Sequence, residues 1–128
     1  MAEGKFALVV NCMDGRVQAP VREYLCERFN VDYVDVITEA GPCKSISDNK
    51  DTEWLKALRA KIEFLAEKHG SKDMAIVGHF DCGANASLKD AQHEQILASV
   101  KVVESWGLGL SVIGLWVGDD WQATEVLG

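Results

Sequence analysis

The sequence predicts an α/β fold of three layers, with helices on both faces of a mainly parallel central sheet, and three observations carry that expectation. Short apolar runs without alternation, such as Phe6 to Val10 and Met74 to Gly78, are what strands covered on both faces look like. Between the runs lie segments with apolar residues at helical spacing, long enough for the crossovers that parallel strands require. A length of 128 residues gives room for one sizeable core but not for two, so residues 1–128 are expected to form a single domain.

Phe6 to Val10 is expected as a central strand ending at Asn11. Pro20 suits a first helical turn, where a missing N–H is tolerated, and Val21, Tyr24, Leu25 and Phe29 follow on one helical face. Tyr33 to Ile37, β-rich and bounded by Asn30 and Gly41-Pro42, predicts a second strand, with Gly41 to Lys50 expected as a loop. Asp51 is the expected N-cap of a long helix whose stripe is Leu55, Leu58, Ile62 and Leu65 and whose end is Lys68, His69 and Gly70. Met74 to Gly78 predicts a third strand, ending at His79. Ile96, Leu97, Val100 and Val103 predict a helix starting near Gln92 and closing at Gly107. Leu110 to Val117 then reads as the last strand, with an exposed edge that a second copy of the chain would cover.

Composition narrows the partners. A formal net charge of -7 opposes the clustered Lys and Arg contacts that dominate nucleic-acid binding. The longest apolar stretches fall far short of the roughly 20 residues that cross a bilayer, and no leader is read ahead of them, so a cytoplasmic protein is expected. In that compartment the four cysteines are expected as reduced thiols.

Two short segments concentrate the chemistry: Cys12-Met13-Asp14-Gly15-Arg16 after the first strand, and His79-Phe80-Asp81-Cys82-Gly83 after the third. Loops converge at the carboxyl ends of such strands, so Cys12, His79 and Cys82 can meet in one crevice. Two thiolates and a neutral imidazole suit Zn²⁺ and leave one of its four tetrahedral positions open, the arrangement of a catalytic site. Asp14 is near enough to take that position or to orient a water in it, and Arg16 can hold the carboxylate in place. Gly83 either frees the backbone for a tight turn or exposes an N–H to a substrate oxygen. Outside these segments, Cys26 reads as a packed thiol, Cys43 as a loop thiol, His69 as a helix C-terminal charge and His93 as a solvated residue ahead of the last helix. Trp106, Trp116 and Trp121 read as core or subunit interface.

Taken in order, Cys12-x-Asp14-x-Arg16, Ala40-Gly41 and His79-x-x-Cys82-Gly83 resemble the β-class carbonic anhydrases, over nearly the whole chain from Phe6 to Val117. That family carries Cys-x-Asp-Ser-Arg, Ala-Gly and His-x-x-Cys-Gly after its first three strands; Gly15 here stands in place of the serine. The resemblance implies a zinc held by Cys12, His79 and Cys82 and an Asp14–Arg16 dyad, with Asp14 as a fourth ligand in one of two states. It also implies reversible hydration of carbon dioxide to bicarbonate by zinc-bound hydroxide. The exposed edge expected for Leu110 to Val117 predicts a homodimer or larger homo-oligomer. A zinc hydrolase acting on carbon disulfide or carbonyl sulfide, and a non-catalytic zinc-binding domain of the same fold, are the alternative readings.

Overall fold

The computed structural model describes residues 3–128. Strand β1 (Phe6–Cys12) leads through a 3-10 turn (Gly15–Val17) into α1 (Gln18–Phe29). Strand β2 (Tyr33–Glu39), α2 (Pro42–Asp48), α3 (Glu53–His69), β3 (Asp73–His79), α4 (Lys89–Ser105), β4 (Ser111–Val117) and β5 (Ala123–Val126) follow. The sheet order is β2-β1-β3-β4-β5. The first four strands pair in parallel and β5 pairs antiparallel with β4.

Both faces of the sheet are covered, which is why its strands read as continuous apolar runs. Leu8, Val10, Met74 and Ile76 point into a core shared with Leu58 and Ile62 of α3 and Ile96 of α4. Their alternating neighbours Val9, Ala75 and Val77 pack with Val21 and Leu25 of α1 on the other side. The chain leaves β1 toward β2 on one side and returns to β3 on the other, so the sheet order reverses between β1 and β3. The loops leaving their carboxyl ends part there and leave a crevice. Helix α4 crosses closely over the sheet because Gly114 offers no side chain: a Cβ there would lie 2.3 Å from Ile96 Cγ2.

Several expectations change. Residues 41–50 are not a plain loop, since they contain α2 with Pro42 in its first turn and Cys43 and Ile46 buried. Thr52, not Asp51, caps α3, its Oγ1 accepting from Leu55 N at 3.2 Å; Asp51 instead lies 3.4 Å from Lys56. Helix α4 starts at Lys89, one turn before Gln92, and Gln92 is buried in it. The strand read as the last has no exposed edge, because β5 covers it. Among the described residues the open edges of the sheet are the outer sides of β2, seven residues long, and of β5, four residues long.

Candidate metal centre

Cys12 is the last residue of β1 and His79 the last of β3, so the crevice receives one from each of its sides; Cys82 reaches it from the turn that follows. The three side chains are buried, and one ligand atom of each lies within 4.8 Å of the others. The two sulfurs are 3.8 Å apart and all four cysteines are free.

The main chain around these donors is tied down. Gln18 Nε2 donates to Cys12 O and Asp14 O, both at 2.8 Å, and Met13 N donates to Glu39 O at 3.1 Å. Gln92 grips the backbone of His79, and Phe80 N donates to Val117 O at 2.9 Å. The turn carrying Cys82 packs on Gly41, whose φ of +55° favours glycine and where an added Cβ would crowd the Ala84 backbone at 3.2 Å.

The donor set fits a dication. His79 Nδ1 lies 2.7 Å from Phe80 O, a contact in which Nδ1–H donates and Nε2 keeps its lone pair. That Nε2 is buried and has no hydrogen-bond partner among the described residues. An orphaned imidazole nitrogen is costly unless something accepts its lone pair. Burial pushes the Cys82 thiol above its ordinary range, with the nearby Cys12 adding to the effect, so ionising Cys82 here calls for a nearby cation. The softness and number of these ligands suit Zn²⁺.

Beside the donors, Asp14 and Arg16 form a bidentate pair. Asp14 Oδ1 accepts from Arg16 N at 2.9 Å and Nε at 3.1 Å, and Oδ2 accepts from Nη2 at 2.7 Å. The Arg16 hydrogen bonds hold the Asp14 carboxyl at about 2, well below the usual carboxylate range. Asp14 is not among the three donors that converge. Gly83 is exposed in the turn, with nothing near the place a Cβ would occupy, so packing does not demand glycine there.

The remaining candidates lie elsewhere. Cys26 sits half-buried on α1. Cys43 is not a loop thiol: it is buried in α2, and burial pushes it up to about 12. His69 does end α3, and it also pairs with Asp35 and stacks on Phe6 at 4.1 Å. His93 is not ahead of the last helix but inside α4, edge-on to Trp116 at 5.2 Å, where burial lowers its pKa. Trp116 is core. Trp121 is neither simply core nor a free interface, because the Arg16 guanidinium lies 4.4 Å from its ring centroid. Sequence reasoning missed that contact and also Asp81, which accepts from Arg16 through both its side chain and its carbonyl. The signal for Asp81 was its place between two metal-ligand candidates; none exists for Trp121.

A mostly parallel sheet with this crevice between β1 and β3 is the fold of the β-class carbonic anhydrases. The chain superposes on the carbonic anhydrase of Streptococcus mutans with a TM-score of 0.64 at 15% identity, covering 94% of this chain and 81% of that one. It superposes on one of two tetrameric β-carbonic anhydrases of Sordaria macrospora with a TM-score of 0.59 at 14% identity, covering 98% and 82%. A family model described as "Putative carbonic anhydrase" matches residues 2–127, and the chain belongs to that family as a divergent member. An uncharacterized protein of Rickettsia conorii is 27% identical over 77 residues, 60% of this chain; the match spans only 41% of that relative.

Proposed function

We propose that the protein is a zinc-dependent carbonic anhydrase that reversibly hydrates carbon dioxide to bicarbonate. The observation that carries this reading is the unpartnered Nε2 of His79 grouped with the Cys12 and Cys82 sulfurs, beside the bidentate Asp14–Arg16 pair. Cys12, His79 and Cys82 would hold the metal, which when bound supplies the Lewis acidity that makes a water nucleophilic near neutral pH.

Asp14 is ionised throughout the neutral range and so can only accept a hydrogen bond. In this reading it takes the O–H of the attacking water and turns the water's lone pair toward the carbon of carbon dioxide. One C–O bond forms, one C=O bond gives its electron pair to oxygen, and the proton lost leaves to solvent. Arg16 keeps Asp14 aimed. Both Asp14 oxygens accept from Arg16, which supports Asp14 as the acceptor that would orient a water rather than as a ligand. Gly83 N–H is the proposed donor to a substrate oxygen. A cleft of about 550 Å³ lined by Phe80, Cys82, Leu88, Gln92 and Trp116 opens beside the centre, and its apolar wall suits a small uncharged substrate.

One continuous sheet with helices on both faces supports reading residues 1–128 as one zinc-binding domain. Four free thiols fit a reducing cytoplasm, and no helix among the described residues is long and apolar enough to cross a membrane. The uncovered edge of β2, with Tyr33 and Val36 exposed on it and Phe64 exposed nearby on α3, supports a homodimer or larger homo-oligomer. Light scattering at tens of micromolar should give a mass above that of one chain; a monomeric mass removes this part.

Zinc stoichiometry and stopped-flow hydration on the same sample test the activity. One zinc per chain together with hydration is expected. Full zinc without hydration would reject the reading and favour the sulfur-substrate or non-catalytic alternatives, which assays with carbon disulfide and carbonyl sulfide then separate.

A further inference from the structure

We infer that Asp81 and Trp121 are positioning residues that hold the Arg16 guanidinium on Asp14, an inference that rests on the hydration reading only for its effect on rate. The guanidinium is held from three loops. Nε and Nη2 donate to Asp14 after β1. Nη1 donates to Asp81 Oδ2 at 3.2 Å and Nη2 to Asp81 O at 3.1 Å, after β3. Trp121, in the β4–β5 connection, offers its ring 4.4 Å from Cζ. In this arrangement each of the three nitrogens donates and one flat face is covered.

The Asp14–Arg16 pair alone leaves Nη1 and the flat faces of the guanidinium unengaged. The Arg16 side chain is 46% exposed, so its remaining rotamer freedom is limited only by what else touches it. Asp81 and Trp121 supply what the pair lacks, because they come from loops that the sheet holds apart.

Backbone strain points to the same two residues. Among the described residues, four that are not glycine have positive φ: Asn30, Asn49, Asp81 and Trp121. Asn30 and Asn49 end α1 and α2, where asparagine is at home. Asp81 at +56° and Trp121 at +57° have no helix to end, and both touch Arg16. A tryptophan in the left-handed region is rare and persists only where its surroundings impose it. Here a turn closed by Trp121 N donating to Gly118 O at 3.0 Å imposes it, and the resulting direction lays the indole on the guanidinium. Asp81 is held between His79 and Cys82, so the turn that carries two metal-ligand candidates also sets Arg16.

The test reads Arg16 directly. In zinc-loaded protein the Nε–H resonance of Arg16, assigned by its loss in Arg16→Lys, should exchange with solvent slowly. Asp81→Asn, which keeps size and tolerates positive φ, and Trp121→Leu should each speed that exchange about tenfold without changing zinc content. Each should lower kcat for hydration about three- to tenfold with KM nearly unchanged, and neither should lower it further in an Arg16→Ala background. Wild-type Nε–H exchange as fast as in free arginine, or no change in Asp81→Asn, overturns the inference even if Trp121→Leu fails to fold. Losses that add to that of Arg16→Ala also overturn it, because they would show action by another route. Absence of hydration in the wild type would reject the proposed activity instead, while the exchange measurement still decides the clamp.

Discussion

Gln92 holds the main chain of His79 from both directions: its Nε2 donates to His79 O at 2.9 Å and its Oε1 accepts from His79 N at 3.2 Å. This is a buried side-chain amide completing the end of a strand, with a further bond from Nε2 to Ser87 O at 3.0 Å. The imidazole therefore rests on α4 as well as on the sheet. Gln92→Leu keeps the volume but strands the His79 N–H and C=O, and buried groups left unmade cost about 1–3 kcal/mol each. Urea unfolding should show a loss of about that size, and zinc affinity should fall at least several-fold because the ligand loses its support. Unchanged zinc affinity in a folded Gln92→Leu protein would detach α4 from the site.

Cys12→Ser, His79→Ala and Cys82→Ser should each remove most of the zinc, since no fourth donor converges with these three among the described residues. Metal analysis after gel filtration checks this, and full stoichiometry in any one of them rejects the ligand set. Chelation of the wild type should lower its thermal midpoint, because the binding free energy of the metal is then lost to the folded state.

Under the proposed hydration, Arg16→Ala should keep its zinc and lose activity by about tenfold or more, because it frees the carboxylate proposed to orient the attacking water rather than a ligand. Equal rates in wild type and variant between pH 7 and 9 would remove the dyad from the mechanism.

The depressed Asp14 carboxyl has a stability signature of its own. Its folded value of about 2 lies below the ordinary 3.8, so the stability it contributes is fully present above the ordinary value. That contribution is lost as pH falls from there toward 2. The stability advantage of wild type over Asp14→Asn should be constant above about pH 5 and should shrink below pH 4, as followed by urea midpoints. A gap that instead opens on acidification would contradict the ion pair.

Gly114→Ala tests how closely α4 is seated on the sheet. The new Cβ would meet Ile96 Cγ2 at 2.3 Å. Cγ2 is fixed to a branched carbon and cannot swing away, so Gly114→Ala should cost about 1–3 kcal/mol. An unchanged denaturation midpoint would mean that α4 is not seated as described.

Much of this protein was legible from local pattern. Runs such as Phe6 to Val10 and Met74 to Gly78 announce doubly covered strands because each residue on either face meets a helix, and Cys12 and His79 announce themselves by standing at the ends of those runs. Their convergence follows from the sheet order, which parallel strands with helical crossovers make accessible to reasoning from sequence. Helix α2 and strand β5 were not legible. Pro42–Asp48 carries only Pro42, Cys43 and Ile46 as its buried face, and Ala123–Val126 is four residues with half of them polar. Each is stable because α4 or β4 is there to receive it, a contact between segments far apart in the chain. The same holds for Asp81 and Trp121, whose contacts with Arg16 span 65 residues in the first case and the breadth of the sheet from β1 to β5 in the second. Sequence alone determined which elements bury their faces and which donors those elements carry, because burial leaves a periodic trace in residue type. Only the tertiary structure decided which loops meet over the site and at what angle, because the geometry of turns held in strained conformations leaves no such trace.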